Sequence, residues 1–361
     1  MREVYVTDAE ILTAAGSLNS TWSTLLAGQT VLTPIQLNTP TPYPLGVIPG
    51  LIENFGTAAR VEELLQTILQ DLPSLPEKTP LVCATTKGAI DEIFTIQSSD
   101  SCQIWQLAKR IASVLGLNGE IITTSAACAS GTLGIIQGAM RIEQNECDQV
   151  LVVALDIISN FVVGGFASLK GLSPSACKPF DKNRDGLSLG EGAGWLLLSS
   201  NKESLTDKLT PCRLEAWSTS CDATHITAPC RQGSGLTRVL ADIISTSTGP
   251  IGAINAHGTG TIYNDAMELT AFHNNLENNT PIYSVKGGIG HCLGGAGLIE
   301  TAISMKSLEE NVIPPTVGLL ESEDQDINIS GQDSISMKYP TIISCNSGFG
   351  GINAAVLLAQ T

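Results

Sequence analysis

Three residues that could carry out covalent chemistry stand in runs of small residues. Cys128 lies in the segment from Ser125 to Gly131, and His257 and His291 lie in two glycine-rich segments. A cysteine at the start of a helix can be a nucleophile, because the helix dipole and the free N–H groups there stabilise its thiolate. Small neighbours also let a substrate come close. These residue types predict nucleophilic catalysis at Cys128, with two histidines beside it.

Each of these residues also has a plainer explanation. A free cysteine is commonly just a small buried side chain, so Cys128 alone would be a weak candidate. Only four histidines occur, however, and two of them stand in glycine-rich segments. His273 lies in a polar stretch, and we expect it at the surface. The ten cysteines are Cys83, Cys102, Cys128, Cys147, Cys177, Cys212, Cys221, Cys230, Cys292 and Cys345.

The cysteine spacing bears on metals and on the cellular compartment. No CxxC pair occurs, which argues against a zinc site, so we expect no metal. The first residues, from Met1 to Val4, lack the apolar segment of a secretory signal. We therefore expect a cytoplasmic protein with mostly free thiols.

Local patterns place the three residues at the ends of strands. A β-branched run from Glu120 to Thr124 predicts a strand before Cys128, and Thr132 to Ile142 predicts the helix after it. Each histidine follows a predicted strand, and ligands of open α/β sheets bind beyond the carboxyl ends of strands. These two strands are Ile251 to Ala256 and Ile282 to Val285.

The rest of the chain alternates strands and helices in the same way. Apolar strand segments without strict alternation predict a largely parallel, buried sheet in an α/β fold. The polar stretch from Asn201 to Thr210 predicts a connector between two halves that repeat the order of elements. The other predicted strands are Val4 to Thr7, Leu81 to Ala84, Gln149 to Ile157 and Arg213 to Trp217, and the other helices are Thr57 to Gln70, Ile104 to Leu115, Gly235 to Ser245, Asp265 to Asn274 and Gly295 to Glu309.

Composition restricts the class of protein. The 361 residues are 43% hydrophobic and 15% charged, which is typical of a globular enzyme. The net charge of −16 is a poor match to a nucleic-acid binder, because phosphate contacts require lysine and arginine. The longest apolar runs, such as Val150 to Ala154, are far too short to span a membrane.

Six segments, in the same order along the chain, resemble the β-ketoacyl-acyl-carrier-protein synthases of the thiolase superfamily. Six ordered matches are far more specific than any one of them. The segments are Ser125 to Gly131, Lys178 to Gly194, Asp222 to Pro229, His257 to Glu268, Lys286 to Glu300 and Asn346 to Asn353.

The resemblance implies an α/β, thiolase-like five-layer αβαβα fold with two similar halves. Residues 1–205 would form the N-terminal half with the nucleophile, and residues 206–361 the C-terminal half with the two histidines. The implied activity is an acyl transfer that ends in a decarboxylating Claisen condensation with malonyl-acyl carrier protein. The implied partners are acyl carrier protein and a second subunit, either a copy of the chain or a chain-length-factor-like protein. No cofactor is implied beyond the phosphopantetheine arm that carries the substrates.

The resemblance also implies a role for individual residues. Cys128 would accept the acyl chain, while His257 and His291 would donate hydrogen bonds to the enolate that forms on malonyl decarboxylation, and Lys286 would support the second histidine loop. Three further groups complete the site. Phe349 would act as a gate, and its backbone N–H would form an oxyanion hole with the Cys128 N–H. Thr259 and Thr261 would bind the pantetheine arm. Glu300, Asp265 and Glu268 would support the loops.

Several departures and alternatives stay open. The stretch before Cys128 looks shorter than is usual in the family, and Ser347 and Ile352 stand where Phe and Thr are usual. A thiolase needs a second catalytic cysteine, for which Cys292 and Cys345 are candidates, and an initiation synthase has a Cys-His-Asn set. A non-catalytic chain-length subunit would lack the cysteine. The sequence leaves the acyl length and the pathway open.

Overall fold

The computed structural model describes residues 2–52, 54–94, 103–277 and 279–361. Cys102 therefore lies outside the described residues. The strands are β1 (Tyr5–Thr13), β2 (Gly16–Ser17), β3 (Thr33–Ile35), β4 (Tyr43–Leu45), β5 (Leu81–Ala84), β6 (Ile121–Thr124), β7 (Gln149–Asp156), β8 (Gly192–Ser199), β9 (Cys212–Cys221), β10 (Ala253–Asn255), β11 (Ile282–Tyr283), β12 (Val312–Ile313), β13 (Ile335–Ser336), β14 (Thr341–Gly348) and β15 (Ile352–Gln360). The α-helices are α1 (Leu18–Leu26), α2 (Ala58–Leu69), α3 (Ile104–Leu115), α4 (Ser130–Glu143), α5 (Asn160–Ser168), α6 (Ser234–Thr246), α7 (Ile262–Asn275), α8 (Lys286–Ile289) and α9 (Ala296–Glu310).

The main strands form two five-stranded halves with the same strand order. The first half runs β6-β5-β7-β8-β1, and the second runs β11-β10-β14-β15-β9. When the five strands of each half are numbered by their order along the chain, both halves have the spatial order 3-2-4-5-1. The halves meet where β1 and β9 pair over two residues, Tyr5 and Val6 against Arg213 and Cys212. The repeat that the sequence shows only as an order of elements is therefore a repeat of topology.

The prediction of a largely parallel sheet is wrong in the middle of the molecule. The outer pairs β5–β6, β5–β7, β10–β11 and β10–β14 are parallel, but every pairing from β7 through β8, β1, β9 and β15 to β14 is antiparallel. Continuous apolar runs report burial on both faces of a sheet, and helices cover these strands whatever their direction.

Helices cover both half-sheets and fill the space between them, which gives five layers. Helices α2 and α3 pack on the outer face of the first half, and α6 and α7 on the outer face of the second. Between the half-sheets, α4 and α9 contact each other within one large apolar core. The position of α9 explains its sequence, because a helix enclosed on all sides needs no polar face.

Most of the predicted elements are confirmed, with small shifts at their ends. Helix α3 has the predicted bounds, and α2 begins after Thr57, whose side chain caps it. The polar stretch 201–210 is a loop between β8 and β9, and the proposed boundary between residues 205 and 206 falls in it. As a domain boundary it remains a prediction. Among the longer elements, sequence patterns missed α1, β8, α5 and the hairpin of β14 and β15.

Candidate active site

Cys128 lies at the junction between β6 and α4, as its surroundings predict. The chain turns sharply before it, with Ala127 at a φ of 48°. Gly131, in the first turn of α4, approaches α9 so closely that a Cβ atom there would lie 2.7 Å from the backbone nitrogen of Leu298. The small residues around Cys128 thus let the two central helices meet, and they place the nucleophile between the halves.

The Cys128 thiol contacts one of the two predicted histidines directly. His291 Nε2 lies 2.9 Å from Cys128 Sγ, and both residues are buried. Burial raises the pKa of the Cys128 thiol to about 12, although the Lys286 ammonium acts in the opposite direction. Desolvation therefore outweighs the favourable position of the thiol at the helix start. His291 Nε2 is placed to accept the thiol proton of Cys128.

The second histidine lies beside the first in a fixed orientation. The rings of His257 and His291 are perpendicular, with centroids 5.1 Å apart. The side-chain amide of Asn346 donates to Nδ1 of His257 at 3.2 Å and to Oε2 of Glu300 at 2.7 Å. Because Nδ1 accepts this hydrogen bond, the neutral His257 ring carries its proton on Nε2. Burial and the Lys286 charge lower the pKa of both histidines well below the ordinary value, so both rings are neutral.

Lys286 and Glu300 form a fully buried ion pair behind the histidines. The Lys286 ammonium donates to Oε1 of Glu300 and also to the backbone carbonyl of His257. Lys286 therefore joins the two histidine-bearing segments, since it belongs to one of them and bonds the other. Glu300 is confirmed as a paired buried acid within α9, as an acid in an apolar helix suggests.

Two buried carboxylates hold the segment that carries His257. Glu268 accepts hydrogen bonds from the backbone N–H groups of His257 and Gly258, at 2.8 Å and 2.7 Å. Asp265 accepts from the N–H groups of Thr259 at 3.0 Å and Gly260 at 3.1 Å. Burial and the Asp265 charge raise the pKa of Glu268 to about 8, whereas the N–H donors lower it. Both acids contact the backbone of the segment rather than the cavity.

A cavity of about 360 Å³ opens onto the three reactive side chains. Thr259 and Thr261 lie in its wall, with their hydroxyl oxygens 2.9 Å apart. Phe349 also lines it and packs against Phe166, with ring centroids 5.6 Å apart. The Phe349 backbone N–H acts to lower the pKa of the Cys128 thiol, against the larger effect of burial. The structure thus brings the predicted nucleophile, histidines, threonines and gate to one cavity.

Three features of the site were missed from the sequence. The amide of Asn346 belongs to a quoted motif, yet nothing in the local pattern indicates that it orients His257. A second buried ion pair, between Lys87 and Asp156, lies at the ends of β5 and β7. A third joins Arg60 to Glu191, which also accepts from the Ile48 backbone N–H. A lone acid ending the apolar strand β7 was the available signal for Asp156, because unpaired acids are rarely buried.

Other cysteines and a possible metal ion bear on the alternatives. Cys292 contacts the backbone oxygen of Glu191, and Cys345 contacts that of Asn255; neither thiol lines the cavity. The ligand atoms of Cys128, His257 and His291 all lie within 4.8 Å of one another, a spacing that a metal ion could bridge. The expectation of a metal-free site stays a prediction.

His273 is confirmed as a partly exposed residue, paired with Asp324.

The sequence matches two family models that together cover well over half of the chain. The model of the β-ketoacyl synthase N-terminal domain matches residues 82–204, and that of the C-terminal domain matches residues 212–320. Within the described ranges, no helix is long and apolar enough to cross a membrane.

Curated relatives carry names of the same family. A 3-oxoacyl-acyl-carrier-protein synthase 2 of Synechocystis sp. is 33% identical over 67% of this chain and 62% of its own length. The actinorhodin polyketide β-ketoacyl synthase 1 of Streptomyces coelicolor is 31% identical over 69% of this chain and 56% of its own length. The chain thus spans less than two thirds of the length of these relatives.

Solved structures of ketosynthases share the fold over the whole chain. A chain from the ketosynthase ApeO in complex with its chain length factor ApeC, from Xenorhabdus doucetiae, has a TM-score of 0.84 at 24% identity, covering 100% of this chain and 98% of that one. A β-ketoacyl synthase from Burkholderia phymatum has a TM-score of 0.85 at 23% identity, with 100% of both chains covered. These likenesses confirm the thiolase-like fold. With the two family models, they place this chain in the β-ketoacyl synthase family.

Proposed function

We propose that the protein is a condensing enzyme that joins an acyl chain on Cys128 to malonyl-acyl carrier protein with loss of carbon dioxide. The observation that carries this proposal is the contact of His291 Nε2 with Cys128 Sγ at 2.9 Å, at a cavity that His257 also lines. One thiol and two neutral imidazoles suit both half-reactions. The thiol accepts the acyl group, and the imidazoles stabilise the enolate.

In the first half-reaction, Cys128 Sγ attacks the carbonyl carbon of an acyl thioester on the carrier protein. The thiol needs a proton acceptor because burial raises its pKa to about 12, and His291 Nε2 is within reach. The new carbon–sulfur bond forms at Cys128, the bond to the pantetheine sulfur breaks, and that sulfur takes the proton. The N–H groups of Cys128 and Phe349 would hold the tetrahedral oxyanion.

In the second half-reaction, the malonyl thioester loses carbon dioxide and negative charge develops on its carbonyl oxygen. His257 presents a proton on Nε2, since Asn346 occupies Nδ1. Among the described residues His291 Nδ1 has no partner, so nothing fixes one tautomer of that ring. His291 can therefore accept the thiol proton in one step and donate to the enolate in the next. The enolate carbon then attacks the acyl carbonyl, and Cys128 leaves as a thiolate that takes up a proton.

The substrates of this reaction would arrive on acyl carrier protein. Thr259 and Thr261, in the cavity wall, are suited to hydrogen-bond the amides of a pantetheine arm, and no other cofactor is required. We propose type II fatty-acid, aryl polyene or polyketide synthesis as the setting; the name of the actinorhodin relative supports the polyketide setting. A cytoplasmic location fits the nine free cysteines of the described residues.

We further propose that the chain works as a dimer, with a copy of itself or with a chain-length-factor-like subunit. The support is the assembly named for the ApeO structure, in which a ketosynthase is bound to its chain length factor. Mass measurement of the purified complex distinguishes a homodimer from a heterodimer, and a monomer at working concentration would contradict the proposal.

The remaining enzyme classes fit the geometry less well. A thiolase would need Cys292 or Cys345 at the cavity, and both thiols bond backbone oxygens elsewhere. An initiation synthase would present an asparagine where His291 contacts the nucleophile. A non-catalytic subunit would lack Cys128.

The replacement Cys128→Ala tests the proposed reaction. We expect it to abolish condensation while malonyl-acyl carrier protein is still decarboxylated, because the histidines that hold the enolate remain. Product analysis with acyl and malonyl carrier proteins measures both steps. Elongation of the acyl chain by the variant would show that Cys128 is not the acyl acceptor.

A further inference from the structure

A buried ion pair that the proposed mechanism does not use lies beside the reactive side chains. Asp156 is the last residue of β7, and Lys87 follows β5, the neighbouring parallel strand. Lys87 Nζ lies 3.0 Å from Asp156 Oδ1, and the two side chains are 7% and 0% exposed. Burial of two charges costs desolvation free energy that an ion pair at the surface avoids. A role for this pair other than stability would explain its burial.

The Asp156 carboxylate connects the two halves of the site. On its own half, it accepts from the hydroxyls of Thr85 at 2.9 Å and Thr86 at 2.7 Å, and from the Thr86 N–H at 3.0 Å. From the other half, it accepts from the backbone N–H of Gly294 at 2.7 Å. Gly294 follows His291 by three residues in the same loop.

The loop from His291 to Gly294 has an unusual backbone shape next to this contact. Leu293 has a φ of 52°, a left-handed conformation that an ordinary residue adopts only when its surroundings impose it. A Cβ atom on Gly294 would lie 2.8 Å from Asp156 Oδ2 and 2.8 Å from the Thr86 nitrogen. At its other end, the loop is held by the His291 N–H, which donates to the Ser188 carbonyl at 2.7 Å. Ser188 therefore holds the loop at His291 itself, and Asp156 holds it three residues later, at Gly294.

Lys87 balances the charge that this anchor brings. A bare carboxylate here would raise the pKa of the Cys128 thiol further, and the Asp156 charge already acts in that direction. The Lys87 ammonium also acts on His291, whose pKa it lowers. Lys87 and Asp156 thus form a counterpart, on the first half, to Lys286 and Glu300 on the second.

We propose that Asp156 is a positioning residue for His291: its carboxylate holds the loop that carries the imidazole against Cys128, and Lys87 keeps that carboxylate paired. This inference deepens the proposed function and rests on it for the catalytic readout. Asp156 and Lys87 do not line the cavity, so we expect neither to contact the substrate.

Two double variants separate the anchor from the charge. Lys87→Met with Asp156→Leu removes both charges and leaves Gly294 without an acceptor. Lys87→Met with Asp156→Asn also removes both charges but keeps an oxygen that can accept from the Gly294 N–H. Replacing a whole buried pair by neutral side chains usually leaves the fold intact. A control is Lys306→Met with Glu309→Gln, which neutralises a largely buried pair near the end of α9 that does not contact the Gly294 N–H.

The readouts are steady-state decarboxylation of malonyl-acyl carrier protein and the ¹⁵N signals of the histidine rings, of which the chain has only four. We expect the leucine variant to lose about 10-fold or more in kcat with KM unchanged, because a loop displaced by about 1 Å can cost 10²-fold in rate. Its His291 ring signals should change. The asparagine variant should recover to within about threefold of the parent, and the control should retain both readouts.

A leucine variant with parental kcat and parental His291 signals would overturn the proposal, as would an asparagine variant no better than the leucine one. The ring signals do not depend on catalysis. If the parent protein fails to decarboxylate malonyl-acyl carrier protein, the proposed function fails, and the His291 signals of the three variants still decide whether Asp156 anchors the loop.

Discussion

The side-chain amide of Asn346 donates to Nδ1 of His257 at 3.2 Å. The nitrogen and oxygen of this amide cannot exchange places without breaking hydrogen bonds, because the nitrogen also donates to Glu300 and the oxygen accepts from the Thr132 hydroxyl. Asn346 therefore decides which nitrogen of His257 carries the proton. The ring presents an N–H donor to the cavity.

The replacement Asn346→Asp should reverse that tautomer while keeping the shape of the side chain. A carboxylate accepts a hydrogen bond from Nδ1–H. Nε2 then carries no proton and cannot donate a hydrogen bond to the enolate. Removing one such donor typically costs about 10² to 10³ in rate, and we expect a loss of that size in malonyl decarboxylation. Parental decarboxylation by a folded variant would contradict the tautomer assignment. Asn274→Asp, which alters an exposed amide of α7 outside the cavity, is the control.

The raised pKa of Cys128 predicts an unusual pH dependence of its reactivity. Alkylation requires the thiolate, and burial raises the pKa of this thiol to about 12. The alkylation rate should therefore be low near neutral pH and should still rise above about pH 10, past the region where an ordinary thiol has ionised. Intact mass after iodoacetamide treatment at several pH values measures it, with the exposed Cys221 as an internal comparison. A plateau for Cys128 below about pH 8 would contradict the assignment.

The buried pair of Lys286 and Glu300 predicts a separation of stability from activity. Lys286→Met should lower the free energy of unfolding by about 3 to 5 kcal/mol, because it leaves the Glu300 carboxylate unpaired in the core. Adding Glu300→Gln should restore much of that loss. Condensation should stay low in both variants, since the bond that joins Lys286 to the His257 carbonyl is absent from each. Denaturant titration and product assays measure the two quantities. Recovery of both together would indicate that Lys286 acts through stability alone.

The sequence predicts the parts of this site that depend on local pattern. Cys128 stands at a strand-to-helix junction because small residues precede a helical run, and both histidines follow strands of apolar residues. What joins these segments could not be derived in the same way. The bond from Asp156 to Gly294 spans 138 positions of sequence, and the bond from Asn346 to His257 spans 89. The first contact is set by the stacking of the two halves, and the second by the pairing of β10 with β14.

The ionisation of Cys128 and the direction of the strands show the same limit. A helix start favours a thiolate, but complete burial opposes it more strongly, and burial of one residue depends on the whole fold. Likewise, apolar runs predict that β7 and β14 are buried, and they are. The apolar runs do not tell whether the neighbouring strand runs parallel or antiparallel. Both β7 and β14 have one parallel neighbour and one antiparallel neighbour.

The position of Phe349 predicts control over what reaches the thiol. Its ring packs on Phe166 at the cavity wall, and it is 38% exposed, so it can move without unpacking the core. Phe349→Ala should speed alkylation of Cys128 by a bulky maleimide more than alkylation by iodoacetamide, since the backbone N–H at this position is kept. The ratio of the two rates is the measurement, and Phe161→Ala, an exposed aromatic outside the cavity, is the control. An unchanged ratio would show that Phe349 is not a gate.

The most direct test of the account is the intact mass of the protein after incubation with acyl-acyl carrier proteins of several chain lengths. The account predicts a mass increase of one acyl group, mapped by peptide analysis to Cys128, retained in Cys221→Ala and absent in Cys128→Ala. Later addition of malonyl-acyl carrier protein should remove the group and yield a β-ketoacyl product two carbons longer. An acyl group on a residue other than Cys128, or a folded protein that takes up none from any chain length, would contradict it.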